Sequence, residues 1–264
     1  MPAALTPPSA EAIRRAQANI QGKAIRTPLI KLSRDHTPPG VEIWLKLESL
    51  QPIGSFKVRP AANAIAEGDK AAVAASGVCT SSAGNFGQGL AWCCSELGVT
   101  CTIVAPDQAP ETKLAAMRAF GATVLTVPYA EWWEIIETHK CPQAPEGAVF
   151  IHPGAENAVL AGNATVAAEI LEEMPDCDTI VAPYGSGALA VGIACGVRVL
   201  NSKARVVAVE PETAAPFALG YGYHPKKKTI DHSKKEKLTW HFFAPSVHDF
   251  TWAADPDFIH DVVK

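Results

Sequence analysis

A chain of 264 residues can bury a sizeable core, as one large domain or two small ones. With 48% hydrophobic and 19% charged residues it has the composition of an ordinary globular protein, and a net charge of -4 with a pI near 6.1 argues against nucleic acid or an anionic membrane as partner. Seven scattered cysteines without zinc spacing read as reduced thiols, and with no basic-apolar leader and no apolar run near the ~18 residues of a membrane span the chain is expected to be cytoplasmic.

The run Gly54-Ser55-Phe56-Lys57-Val58-Arg59-Pro60-Ala61 places a turn-prone pair and an aromatic before a lysine, with the helical pattern of Ala61, Ala62, Ala64 and Ile65 behind it. Lys57 is therefore expected at the mouth of a helix, where unpaired N–H groups and the macrodipole disfavour positive charge. Beside a ring that excludes water, such an amine is pushed toward its neutral, nucleophilic form, the form that makes Schiff bases. From about residue 73 the chain alternates strands and helices. Strands are expected at Val78–Thr80, Cys101–Val104, Thr123–Val127, Val149–Ile151, Thr179–Ala182 and Arg205–Val209. Helices are expected at Gly87–Leu97, closed by Gly98, at Glu111–Phe120, capped by Gly121, at Val159–Glu172 and at Ala188–Leu200. Near-continuous apolar strands between helices imply a parallel sheet covered on both faces. After Leu219 this rhythm stops, and residues 220–264 carry seven lysines against six acids and eight aromatics without periodicity, the composition of a solvated or poorly ordered tail.

Two loops between strand and helix suit anions. Ser81-Ser82-Ala83-Gly84-Asn85-Phe86-Gly87 has small residues whose N–H groups can converge on a carboxylate, with Asn85 as donor and acceptor. Tyr184-Gly185-Ser186-Gly187-Ala188-Leu189 suits a phosphate at a helix N-terminus. The second loop has another reading. Gly185–Ala190 fits the dinucleotide form G-x-G-x-x-A, and Glu210 follows at the end of the next strand, which makes a nicotinamide-dependent oxidoreductase the competing function. Against it stand the short remainder of the chain after this loop and the lack of any work for Lys57 and Asn85.

A Schiff-base lysine, a carboxylate loop and a phosphate loop together describe a pyridoxal phosphate site for an amino acid. The sequence resembles the fold-type II pyridoxal phosphate enzymes, in particular the serine/threonine dehydratase and serine racemase branch. Glu48–Arg59 resembles that family's lysine segment, Ser82–Asn85 its substrate-carboxylate loop, Gly185–Leu189 its phosphate loop, and Val209-Glu210-Pro211-Glu212 the strand end that follows. The likeness runs in order from about Ile25 to Leu219. It implies an α/β fold of two open, mostly parallel sheets flanked by helices, as in the tryptophan synthase β-subunit. Residues 1–75 with 153–219 would form a large domain, 76–152 a small inserted one, and 220–264 an atypical tail. It further implies Lys57 as the catalytic residue, a cofactor held by Phe56, Lys57, Asn85, Gly185, Ser186, Gly187, Ala188 and Leu189, and a substrate bound by Ser82, Ala83, Gly84 and Asn85.

The implied activity is β-elimination of L-threonine or L-serine to a 2-oxo acid and ammonia, in a homodimer. The chain departs from the family at Ser186, Ala188 and Pro60, where glycine is usual. Ala83 stands where racemases have a serine on the face opposite the lysine, which favours elimination. No metal is expected, because Pro216 replaces an acid that family members place near Glu210. The family also sets a Ser, Thr or Cys from a late Gly-rich loop against the pyridine nitrogen. Ser233, Thr239, Ser246 and Thr251 are the available replacements, but the expectation is a tail that leaves this nitrogen and a sheet edge uncovered. A catalytically impaired relative with a binding role is the alternative on that account.

Overall fold

Apolar runs separated by helical stretches build two parallel sheets, because strands with apolar side chains on both faces need helices to cover them. The computed structural model describes residues 5–200, 202–210, 223–224, 229–230 and 261–263. Helix α1 (Ala10–Asn19) is started by Ser9, whose Oγ accepts from Ala12 N at 3.1 Å. Strands β1 (Leu29–Lys31) and β2 (Trp44–Lys46) pair antiparallel, and α2 (Val58–Glu67) and α3 (Lys70–Ser76) lead to the first parallel sheet. It contains β3 (Val78–Ser81), β4 (Cys101–Pro106), β5 (Thr123–Val127) and β6 (Val149–Phe150), in the order β5-β4-β3-β6. Its connections run through α4 (Asn85–Leu97), α5 (Glu111–Ala119) and α6 (Tyr129–Thr138).

Helix α7 (Asn157–Glu173) is buried without a break from Val159 to Leu171, as befits a helix apolar on all sides. It leads to β7 (Thr179–Pro183), α8 (Ala188–Val199) and β8 (Arg205–Val209). A short antiparallel pair, β9 (Tyr223–His224) with β10 (Thr229–Ile230), precedes β11 (Asp261–Val263), which joins β8 and β7 in a three-stranded parallel sheet. Among the described residues no helix is long and apolar enough to cross a membrane.

Each expected strand and helix is present with its ends within two residues of expectation. Gly98 and Gly121 have φ of 65° and 82°, the left-handed backbone a C-terminal glycine supplies. Helix α6 was not anticipated. Its start after Pro128 and its aromatic content obscure the helical period, and Trp132, Ile135 and Ile136 are held instead by packing against Val104 and Val127.

Burial alternates along β7, with Val181 64% exposed between buried Ile180 and Ala182, while Val206, Val207 and Ala208 of β8 are all buried. One expectation needs correction. The tail was expected to leave a sheet edge open, yet β11 lies along β8 in the register Asp261↔Val207 to Val263↔Val209. Three residues suffice for that pairing, too few to show as a strand by periodicity. Pro216, Ser233, Thr239, Ser246 and Thr251 lie outside the described residues.

Candidate active site

Lys57 immediately precedes α2, and its N–H points to Ser55 Oγ at 3.3 Å. Pro60 falls in the first turn, where no N–H is needed. The Lys57 side chain is half-buried, with Nζ 5.2 Å from the centroid of Phe56 and 5.6 Å from that of Phe86. The rings exclude water, and burial lowers the amine from 10.5 to about 8.

Close helix contacts fix where Lys57 stands. A Cβ on Gly89 of α4 would lie 2.9 Å from Lys57 O, and one on Gly162 of α7 would lie 2.6 Å from Pro60 Cα. Arg59 is fully buried behind them. Its Nε and Nη2 each donate to Glu48 at 2.8 Å, while Nη1 and Nη2 donate to Glu169 at 2.6 and 2.8 Å. Lys46 Nζ lies 2.7 Å from Glu169, and Glu48 also accepts from Thr27 Oγ1 at 2.6 Å. The segment carrying Lys57 is thus bound to α7 by buried charges that all have partners, the condition under which such charges are tolerated.

The Ser82–Asn85 loop follows β3. Buried Ser82 Oγ accepts from Gly84 N at 3.3 Å and Gly87 N at 3.1 Å, so this hydroxyl shapes the loop. Helix α4 starts at Asn85, two residues earlier than expected, behind Gly84 as cap. Asn85 and Phe86, as first-turn residues, have N–H groups that the helix does not use. Asn85 is exposed, Ala83 offers only a methyl group, and Phe86 places its ring beside Lys57. Lysine and carboxylate loop are therefore neighbours.

At the other loop, Gly187 with φ 86° precedes α8, and Ala188 is its first residue. Gly185 has no atom within 4 Å of an added Cβ, whereas one on Gly187 would stand 2.7 Å from Tyr184 Oη. Ser186 and Leu189 are half-buried. Asn163 Nδ2 donates to Ala188 O at 3.1 Å. Consecutive residues of α7, Gly162 and Asn163, thus touch the starts of α2 and of α8.

Sequence reasoning passed over His152 and Glu156. Thr80 Oγ1 donates to Ile151 O at 2.7 Å, which sets His152 at the strand end next to β3. His152 Nδ1 accepts from Gly154 N at 3.0 Å and Ala155 N at 2.6 Å, and Glu156 accepts from His152 N at 2.8 Å. Burial, then the charges of His139 and Lys57, lowers His152 to about 3, so the ring is neutral. Burial raises Glu156 to about 7. The rings of His139 and His152 are 4.6 Å apart. A histidine followed by Pro-Gly at a strand end, with an acid four residues on at a helix start, was the available signal.

These residues fit pyridoxal phosphate. A desolvated amine lies between two rings, a glycine leaves open space ahead of α8, and two helix starts have N–H groups for anions. Residues 20–258 match the family described as pyridoxal-phosphate dependent enzyme. The L-threonine ammonia-lyase of Geobacter sulfurreducens is 36% identical over 206 residues, 78% of this chain and 50% of that protein. The β-hydroxyaspartate dehydratase of Paracoccus denitrificans is 32% identical over 265 residues, 97% of this chain and 83% of that protein. Maize serine racemase superposes with a TM-score of 0.80 at 29% identity, over 98% of this chain and 77% of that one. The chain spans about half the length of the threonine ammonia-lyases it matches. Pyridoxal phosphate is the cofactor of this family, and the nicotinamide reading of Gly185–Ala190 falls away. The chain belongs to the fold-type II pyridoxal-phosphate dependent enzymes.

Proposed function

We propose that this chain catalyses β-elimination of a β-hydroxy amino acid, L-threonine or L-serine, giving a 2-oxo acid and ammonia. Pyridoxal phosphate, when bound, supplies a conjugated ring that takes up the electron pair left at Cα as its proton departs. Lys57 would hold the cofactor through its amine and, once released, take the Cα proton, a role suited to an amine lowered to about 8. The N–H groups from Gly185 to Leu189 would bind the phosphate, with Phe56 and Asn85 beside the ring. Ser82, Ala83, Gly84 and Asn85 would hold the substrate carboxylate and so orient the Cα–H bond. In this reading residues 1–75 and 153–219 form the larger domain, 76–152 the smaller, and the enzyme works as a cytoplasmic homodimer.

Ala83 is the observation that favours elimination over racemisation. A methyl group cannot exchange a proton with the second face of Cα, and Ser82 Oγ is engaged with Gly84 N and Gly87 N. The test follows 2-oxo acid and D-serine together from L-serine. Elimination should dominate, and Ala83→Ser should raise racemisation; comparable rates from the unmodified enzyme would refute the proposal. The second substrate reading is β-hydroxyaspartate, favoured by the match over 97% of this chain to a β-hydroxyaspartate dehydratase. Comparing 2-oxo acid release from serine, threonine and β-hydroxyaspartate decides between them. No turnover of any of the three with cofactor bound would favour a binding role.

A further inference from the structure

Helix α8 lies against α7 with almost nothing between them. A Cβ on Gly192 would stand 2.5 Å from Asn163 Cβ and 2.9 Å from Leu160 O, and one on Gly196 would stand 2.8 Å from Ala167 Cβ. Two successive turns of α8 therefore rest on α7 at a distance that only glycine permits. Within this contact Asn163 is fully buried, and its Nδ2 donates to Ala188 O at 3.1 Å. A carbonyl oxygen only accepts, so the amide must turn Nδ2 toward it and Oδ1 away. Oδ1 then has no hydrogen-bond partner among the described residues.

That arrangement is poor for stability alone. A buried acceptor left unpaired costs more than one neutral hydrogen bond returns, and an apolar side chain of similar size would avoid the cost. What the amide provides is its bond to Ala188. Ala188 is the first residue of α8, and the helical ladder begins only with Val191, whose N–H donates to Gly187 O at 2.9 Å. The N–H groups of Ala188, Leu189 and Ala190 thus have no helical acceptor and are left for a ligand at the helix start.

We propose that Asn163 is a positioning residue for the cofactor phosphate: by holding the Ala188 carbonyl it fixes the start of α8 and aims these N–H groups at the anion. This rests on the reading of Gly185–Leu189 as the phosphate loop. The residue before it, Gly162, rests on Pro60 in the first turn of α2, just behind Lys57. One turn of α7 therefore sets the amine and the phosphate site at a fixed separation. The effect of Asn163 passes through Ala188, and its unpaired oxygen marks a bond kept for placement at the expense of stability.

The test compares pyridoxal phosphate with pyridoxal, which has the same ring and aldehyde without the phosphate, by absorbance titration of the cofactor-free full chain. In Asn163→Ala, affinity for pyridoxal phosphate should fall about tenfold, the loss of about one hydrogen bond to a charged group, while affinity for pyridoxal stays unchanged. The melting temperature of the cofactor-free variant should not fall, because the unpaired oxygen leaves together with the hydrogen bond. Equal weakening of both ligands, or a variant that melts markedly lower or does not fold, would overturn the proposal. The unmodified chain tests the underlying reading separately. Equal affinity for the two ligands there would remove the phosphate from Gly185–Leu189 and the proposal with it. A preference for pyridoxal phosphate that Asn163→Ala keeps in full would leave that reading standing and overturn only the role of Asn163.

Discussion

Lys57 owes its chemistry to burial rather than to any neighbouring charge. Burial alone accounts for its lowered value of about 8, and the 5.2 Å and 5.6 Å ring contacts do not reverse it. Since only the neutral amine attacks a carbonyl, attachment of pyridoxal phosphate to cofactor-free protein should quicken as pH rises through about 8 and level off below the ordinary lysine value of 10.5. Borohydride reduction and peptide mapping should then find the pyridoxyl group on Lys57; a label on Lys46 or Lys113 would reject the assignment. Glu156 shows the opposite case. Its value in the folded chain, about 7, lies above the ordinary 4.5, so the stability it contributes is whole below pH 4.5 and lost as pH rises through about 7. Glu156→Gln keeps an acceptor for His152 N and removes this dependence. Urea unfolding should show equal stability near pH 4.5 and a gain for the variant of up to about 3 kcal/mol near pH 8.5. Parallel pH profiles for the two proteins would contradict this.

Among the elements, α7 does the joining. It meets α2 at Gly162 and the start of α8 at Asn163, so the lysine and the phosphate loop share one support. Gly162→Ala would put a Cβ 2.6 Å from Pro60 Cα, backbone that cannot yield as a flexible side chain would. A loss of about 1–3 kcal/mol is expected, with weaker pyridoxal phosphate binding by absorbance titration. Gly84→Ala, where an added Cβ meets nothing within 4 Å, is the folding control and should leave stability unchanged. Strands and most helices were legible because their periods and glycine stops are local. Helix α6 was not, because Trp132, Trp133 and the adjacent isoleucines are poor helix formers whose helix depends on the sheet beneath.

On the scale of the molecule, two parallel sheets are built with helices between their strands, and β11 joins the edge of the second. β11 pairs with β8 over Asp261–Val263. Removing residues 261–264 uncovers that edge and should cost about 1–2 kcal/mol, a fall in Tm of about 2–8 °C, with increased association on light scattering. An unchanged Tm and a monodisperse truncated protein would show that the edge needs no such cover. The likeness to maize serine racemase over 98% of this chain extends past the point where family motifs could be read, near Leu219. Motif reading stops where backbone pairing takes over from side-chain identity.

The sequence alone determined the family, the cofactor and the order of the three loops, because each is a local arrangement: a lysine behind a Gly-Ser turn, and two glycine-containing turns at helix starts. It did not disclose the partners those loops acquire. Ser82 Oγ turned inward to Gly84 and Gly87, Arg59 between Glu48 and Glu169, and His152 held by Glu156 are decided by packing. Thr80 and Ile151 lie 71 positions apart, and Arg59 and Glu169 lie 110 apart. Contacts of that span have no period to read; they exist only once helices and strands have closed the distance and burial has made an unpaired polar group too costly to leave.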